Sequence, residues 1–213
     1  MNNIISNIKY ITENKYFMQN FKNLNSIYEN AIPASVVDLT NKIENADSSR
    51  KALNILFEKV KKGELEVKNG VLFKKDEFVI QNIFQNFGRV YEKNLKAINA
   101  LNIEIAPKYI KTITKGNDMF IISQIKGTKT GNLIPYATGK NFVSNEDKNS
   151  AFHDMQKLTK AGLTDDKISR SQEMWFVSPD NNKIVLPSFE ALRNLTPGEN
   201  NQIINKYYNI IFG

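Results

Sequence analysis

The dipeptide Asn69-Gly70 constrains the fold of this chain more than any other short segment. Asparagine followed by glycine tolerates the positive φ angles of a tight hairpin turn better than other residue pairs. Residues 64–67 and 71–75 on its two sides alternate between apolar and polar side chains, which is typical of half-buried strands. The sequence therefore predicts a β-hairpin here.

Helical periodicity precedes the hairpin. Apolar residues recur at spacings of three and four through the first 62 residues, which predicts one or two amphipathic helices within 2–31 and a short helix over 35–45. Ser48 or Ser49 can accept the free N–H groups of a further helix that begins just before Ala52. The part of the chain before Gly63 is therefore expected to be helical.

The hairpin is followed by a long apolar pattern of helical period from Phe78 to Leu101, which predicts one helix. Two strands, Lys108–Thr114 and Met119–Ile125, then flank a turn that contains Gly116. The order expected after residue 63 is thus strand, strand, helix, strand, strand.

The second half of the chain begins with a stretch rich in glycine, at Gly127, Gly131 and Gly139, which indicates a connector. A helix capped by Ser144 and ended by Gly162, a second hairpin and a C-terminal helix over 200–212 follow. The hairpin strands are predicted at 174–178 and 183–186. We divide the chain into a helical extension (1–62), a small strand-rich lobe (63–126) and a more helical lobe (127–213).

Composition excludes several kinds of chemistry. The chain has no cysteine and one histidine, His153, so disulfides, thiolate nucleophiles and multi-histidine metal sites are excluded. His153 is interpreted as an ordinary helix residue. Trp175 and Phe176 alternate within the second hairpin and are interpreted as core. Carboxylates, lysines and hydroxyls remain as reactive groups.

The net charge of +7 arises from lysines spread along the chain, without the exposed basic and aromatic clusters of a sequence-specific nucleic-acid binder. No apolar stretch is long enough to span a bilayer, and no cleavable leader is recognised. Residues 1–7 are uncharged and rich in Ser, Asn and Ile, which resembles an uncleaved secretion signal. The chain is expected to be a bacterial protein that is either cytoplasmic or secreted into a host cell.

The element order resembles that of the protein-kinase-like fold, and particular residues strengthen the likeness. Val71–Lys75 is similar to the strand that carries the phosphate-binding lysine, and residues 119–127 are similar to the strand that enters the hinge. Met155–Leu163 resembles the helix before the catalytic loop, and Lys183–Phe189 the strand before the metal-binding motif. The nearest family is the minimal secreted effector kinases of enteric pathogens, of the OspG and NleH type. The resemblance implies an α+β, two-lobed fold with extra N-terminal helices.

The resemblance also implies a candidate site. Lys74 and Glu92 match the nucleotide-binding pair, Asp166 matches the catalytic aspartate best, and Ser188 stands where a magnesium-binding aspartate is expected. The glycine-rich loop and the asparagine of the catalytic loop are missing. The resemblance therefore implies a pseudokinase that binds a host or bacterial protein and needs no cofactor.

Alternative interpretations stay open. An active atypical kinase would use ATP and Mg²⁺, with Lys74, Glu92 and Asp166 as site residues and Glu173 or Asp180 as a metal ligand. In structural interpretations of the same residues, Glu92 pairs with Lys96 one helical turn away, Asp165-Asp166 caps a turn, and Lys74-Lys75 is a solvated surface. A toxin-like polar domain unrelated to kinases is the third hypothesis.

Overall fold

The computed structural model describes residues 32–125, 127 and 133–213, and these residues form an α+β fold. The first half contains helices α1 (Ala34–Asn45) and α2 (Ser49–Lys61), strands β1 (Glu66–Lys68), β2 (Leu72–Lys75) and β3 (Phe78–Phe84), helix α3 (Gln85–Ala100), and strands β4 (Lys108–Lys115) and β5 (Asp118–Gln124). The second half contains β6 (Ile134–Pro135), α4 (Tyr136–Gly139), α5 (Asn145–Lys160), β7 (Leu163–Asp165), β8 (Phe176–Val177), β9 (Ile184–Val185), β10 (Leu192–Asn194) and α6 (Asn200–Phe212). Short 3₁₀ turns lie at Lys140–Phe142 and Gln172–Met174. The predicted α+β class is confirmed, whereas the helices expected within 2–31 lie outside the described residues.

Helices α1 and α2 match the prediction from periodicity. On α1 the buried residues Val36, Leu39, Thr40 and Ile43 recur every three or four positions and so form one face. The hydroxyl of Ser48 accepts a hydrogen bond from the backbone N–H of Lys51 and caps α2. None of the helices that the structure describes combines the length and apolarity needed to cross a membrane.

The hairpin at Asn69-Gly70 is confirmed. Both residues have positive φ, at 54° and 68°, and Lys68 on β1 lies opposite Leu72 on β2. The carbonyl of Lys68 accepts a hydrogen bond from the N–H of Val71 and closes the turn. Local turn chemistry therefore fixes this register without help from the rest of the fold.

Strand β3 overturns one sequence expectation. The helix predicted from Phe78 begins only at Gln85, because Phe78–Phe84 is a strand hydrogen-bonded to β2 on one side and to β5 on the other. The three-residue spacing of Ile80 and Ile83 imitates a helical stripe, but the two residues lie on opposite faces of the sheet, as their different packing partners indicate. Most of this segment is paired on both sides, with β2 and with β5, and local periodicity cannot reveal such pairing.

The first half forms one antiparallel sheet in the order β1-β2-β3-β5-β4. One face packs against α1 and α2 through Phe73, Ile80, Phe120 and Ile122. Helix α3 covers the other face, where Tyr91 and Leu95 pack against Tyr109, Met119 and Ile121. The sheet is thus a layer between two sets of helices.

The second half surrounds a separate core built on Trp175. The Trp175 side chain is fully buried beside Tyr136 and Tyr207, and its Nε1–H donates to the carbonyl of Ile168 over 3.0 Å. The hairpin predicted around residues 179–182 is confirmed as β8 and β9, and α5 and α6 match the predicted helices. The C-terminal end of α3 and residues 103–106 also belong to this core, so the two halves share packing.

Gly127 connects the sheet to the second half. Its φ is +75°, and its carbonyl accepts a hydrogen bond from the hydroxyl of Ser178 at the end of β8. The N–H of Gly127 donates to the carboxylate of Glu77 over 2.9 Å. A Cβ atom at this position would collide with Ser178 and Asn181, so the glycine expected in the connector serves both the backbone angle and a close contact.

Candidate functional site

Lys74 lies on β2, and the long helix α3 follows the next strand, β3, and not β2 as expected. It faces the side of the sheet opposite Phe73, and its cross-strand neighbours are Glu66 on β1 and Val79 on β3. Lys74 also lines a cavity of about 330 Å³ with residues of 63–66 and 75–76. Lys74 therefore lies near the β1 edge of the sheet.

Glu92 lies near the other edge. Its Oε1 is 2.7 Å from the Nζ of Lys96 and 3.0 Å from the hydroxyl of Tyr109 on β4, which donates to it. Burial alone would raise the pKa of Glu92, but the hydrogen bond and positive charge of Lys96 and the Tyr109 hydroxyl together hold it below its ordinary value. The pair with Lys96 is the one that the structural interpretation of the sequence predicts.

The sheet register keeps Lys74 and Glu92 apart. Lys74, Val79, Ser123 and Tyr109 form one cross-strand row on β2, β3, β5 and β4. Three inter-strand spacings separate Lys74 from Tyr109, about 14 Å between backbones. Because Glu92 is bonded to Tyr109, the structure does not bring the two predicted nucleotide-binding residues together.

The strand that runs directly into α3 is β3, and its side chains toward that helix are those of Val79, Gln81 and Ile83. Gln81 and Tyr91 line a cavity of about 570 Å³ beneath this strand, together with Lys167 and Glu190. Burial, with a smaller contribution from the charge of Glu190, raises the pKa of Tyr91, so its hydroxyl stays protonated. Sequence reasoning missed Gln81 because the predicted helix included β3; the β-branched pair Val79-Ile80 was the available indication of a strand.

Asp165 caps a turn at the end of β7. Its carboxylate is fully buried and accepts hydrogen bonds from the backbone N–H groups of Lys167, Ile168 and Ala191 at 2.9, 3.2 and 2.8 Å. Burial raises the pKa of Asp165, and the three N–H donors partly offset that effect. Turn capping, the structural alternative considered for Asp165-Asp166, is therefore what Asp165 does.

Asp166 is held by two arginines. Its Oδ1 lies 2.7 Å from Nε of Arg193, and its Oδ2 lies 3.7 Å from Nη2 of Arg170. Arg193 also binds both carboxylate oxygens of Glu199, at 2.9 and 2.5 Å. The carboxylate predicted to orient a substrate hydroxyl is thus engaged in an ion-pair network.

Ser188 lies in the segment between β9 and β10, which contacts both α3 and the turn after β7. The Nδ2 group of buried Asn94 donates to the carbonyl of Phe189 over 3.0 Å, and Lys167 pairs with Glu190 at 2.6 Å. The N–H of Asp166 donates to the carbonyl of Ala191 over 3.1 Å. The structure therefore brings the Ser188 segment beside the Asp165-Asp166 turn.

The remaining candidates are spread over the second half. Glu173 lies in a 3₁₀ turn and Asp180 in the β8–β9 turn, whereas His153 is exposed on α5. Within the described ranges, no group of three or more His, Cys, Asp or Glu side chains could hold a metal ion. Binding of ATP and Mg²⁺, as the active-kinase alternative requires, stays a prediction.

In comparisons with known proteins, neither a family model nor a curated protein matches the chain.

Proposed function

We propose that this protein is a two-lobed, kinase-like protein that transfers no phosphate and acts by binding a partner protein. The order of elements supports the kinase-like part of the proposal: a hairpin, a strand leading into a long helix, two further strands, a connector, a helix and a second hairpin. The contact between the Ser188 segment and the Asp165-Asp166 turn gives additional support. It corresponds to the meeting of the metal-binding and catalytic segments in kinases.

The separation of Lys74 from Glu92 carries the proposal that no phosphate is transferred. Kinases place the phosphate-binding lysine on the strand before the long helix and pair it with a glutamate of that helix. Here that strand presents Gln81, and the neighbouring helix residue in the same cavity is Tyr91. Both side chains are uncharged, so this strand and helix offer no lysine–glutamate pair to the α- and β-phosphates; the ion pair that lines the cavity, Lys167 with Glu190, comes from the second half of the chain.

The second half supports the same proposal. Mg²⁺ requires charged oxygen ligands, and Ser188 supplies only a neutral hydroxyl. The carboxylate of Asp166 accepts a hydrogen bond from the guanidinium of Arg193. Arg193 would have to be displaced before a substrate hydroxyl could bind there. With phosphate transfer set aside, we infer that the protein acts by binding another protein. The resemblance to secreted effector kinases suggests a host protein as the partner.

Nucleotide binding and phosphate transfer test the catalytic part directly. We expect ATP with Mg²⁺ to leave the melting temperature of the full chain unchanged, since a ligand that binds only the folded state would raise it. We expect radiolabel transfer from ATP, to the protein itself or to a generic substrate, to be no greater for the wild type than for Asp166→Ala. Transfer that is lost in both Asp166→Ala and Lys74→Ala would instead establish the active-kinase alternative.

Partner binding needs a separate experiment. A partner captured from host-cell lysate should be purified and titrated against the full chain by calorimetry. We expect the affinity to be the same for wild type, Lys74→Ala and Asp166→Ala, because the proposal assigns these residues no phosphate transfer. An interaction that requires ATP would contradict it.

A further inference from the structure

The edge of the sheet at β1 is open, because none of its three residues is covered. Glu66, Val67 and Lys68 are all exposed, and β2 is the one strand paired with β1 among the residues that the structure describes. Native proteins normally protect such an edge, since its free N–H and C=O groups can pair with another strand. Strand β4, at the other edge of the sheet, provides a comparison.

Strand β4, at the opposite edge, is protected. It carries three lysines, at 108, 111 and 115, and no acidic residue. Its register is interrupted between Tyr109 and Lys111, and Lys111 is tied to Glu44 of α1 at 2.6 Å. Two copies of β4 would oppose lysine to lysine, so this edge discourages self-association.

The backbone of β1 points its free groups outward at Val67. The carbonyl of Lys68 accepts a hydrogen bond from Val71, so the backbone groups of Lys68 point toward the hairpin partner. Successive residues of a strand direct their N–H and C=O groups to opposite sides, so those of Glu66 also face β2 and those of Val67 face the open edge. Val67 can therefore exchange two hydrogen bonds with an identical residue.

We propose that two copies of this chain associate through β1, paired antiparallel around a twofold axis at Val67. In that register Glu66 lies opposite Lys68 of the second copy, and Lys68 opposite Glu66 of the second copy. These are non-hydrogen-bonded positions, where side chains lie closest. The three-residue strand is thus complementary in charge to itself, as a symmetric interface requires.

An apolar patch beside β1 extends the contact. Val67 lies opposite Phe73 and on the same face of the sheet, and Phe73 makes an edge-to-face contact with Phe57 of α2 at 5.2 Å. Val67 and Phe57 are each 37% exposed. Twofold pairing through β1 would bring the two copies of this patch together and reduce that exposure, which favours association.

Glu66 and Lys68 form no ion pair or side-chain hydrogen bond with other residues that the structure describes, although Lys74 lies across the strand from Glu66. Pairing with the second copy would therefore break no ion pair between described residues. This inference does not depend on the kinase-like proposal.

Charge exchange tests the interface. Sedimentation equilibrium of the full chain should reveal a dimer whose dissociation constant rises with salt. Glu66→Lys and Lys68→Glu should each turn two opposite-charge pairs into two like-charge pairs and raise the dissociation constant about tenfold or more. The double variant with both substitutions should restore wild-type association, because every pair is again complementary.

Mixing gives the sharpest result. The Glu66→Lys and Lys68→Glu chains, each weakly associating alone, should form a heterodimer with each other, since all four opposed positions then carry opposite charges. Val67→Pro should abolish the dimer by removing the outward N–H while leaving the bonds of Glu66 and Lys68 to β2 in place. Circular dichroism melting of each variant confirms that the fold is kept.

The proposal is overturned if the wild type stays monomeric at its highest soluble concentration. It is also overturned if a dimer persists unchanged in the single variants and Val67→Pro, or if neither the double variant nor the mixture restores association.

Discussion

The guanidinium of Arg193 on β10 lies 2.7 Å from the carboxylate of Asp166, the residue that follows β7. The same guanidinium binds Glu199 just before α6 at 2.5 Å. Arg193 thus links the turn after β7 to the start of the C-terminal helix. Asp166, the candidate catalytic aspartate, is thereby a member of an ion-pair network of four residues that also contains Arg170, Arg193 and Glu199.

This network should make stability depend on pH. Hydrogen bonds from Arg193 and from Thr196 hold the pKa of Glu199 well below its ordinary value of 4.5. A carboxyl with a lowered folded-state pKa stabilises the fold above its unfolded-state pKa and loses that contribution as the pH falls toward the folded-state value. Between about pH 6.5 and about pH 3.5, urea unfolding should therefore show a larger loss of stability for the wild type than for Glu199→Gln. Equal losses in the two proteins would show that Glu199 contributes no pH dependence.

Asp154 on α5 is predicted to be a major stabilising residue. Its carboxylate is buried and accepts hydrogen bonds from the backbone N–H groups of Glu104 and Ile105 at 2.6 and 3.1 Å. Asp154→Ala would leave both N–H groups without an acceptor, so it should lower the free energy of unfolding by about 2–4 kcal/mol. Asp154→Asn keeps one acceptor oxygen and should cost less.

The matched control for Asp154 is Asp38 on α1, whose side chain is 59% exposed and pairs with Lys42. Asp38→Ala should change the free energy of urea unfolding by no more than about 0.5 kcal/mol. Similar losses for Asp38→Ala and Asp154→Ala would contradict the assigned role of the buried carboxylate.

A double-mutant cycle can decide which lysine is the partner of Glu92. Glu92 and Lys96 are both partly exposed, so solvent screening should limit their coupling to about 0.3–1 kcal/mol. The cycle uses Glu92→Gln with Lys96→Met, and Glu92→Gln with Lys74→Met as the control. We expect coupling in the first and none in the second, measured by urea unfolding. Coupling to Lys74 instead would support the kinase-type pair.

Several elements could be predicted from the sequence because their determinants are local. Asn69-Gly70 specifies its hairpin by turn conformation, and Ser48 and Ser144 specify helix starts by accepting backbone N–H groups of the first turn. The pair Glu92 and Lys96 could also be foreseen, since residues four apart on a helix are neighbours. None of these depends on distant parts of the chain.

Strand β3 and the site could not be predicted in the same way. Phe78–Phe84 is a strand because β2 and β5 lie on its two sides, and the partner residues 118–124 are about 40 positions away in sequence. That pairing places Gln81, and not Lys74, on the strand that enters α3. It also puts Lys74 and Glu92 near opposite edges of one sheet.

Turn angles, periodicity, helix caps and composition act locally, so the amino-acid sequence was enough to predict the mixture of helices and strands, the hairpins, most of the helices and the exclusion of cysteine and multi-histidine chemistry. Which charges meet depends on the three-dimensional fold. Arg193 reaches Asp166 and Tyr109 reaches Glu92 because the register of the strands and the packing of α3 and α6 set those distances. Glu66 is exposed because β1 is the edge strand of the sheet. Coulombic and hydrogen-bond interactions depend on separation in space, and a linear pattern of residues does not contain it.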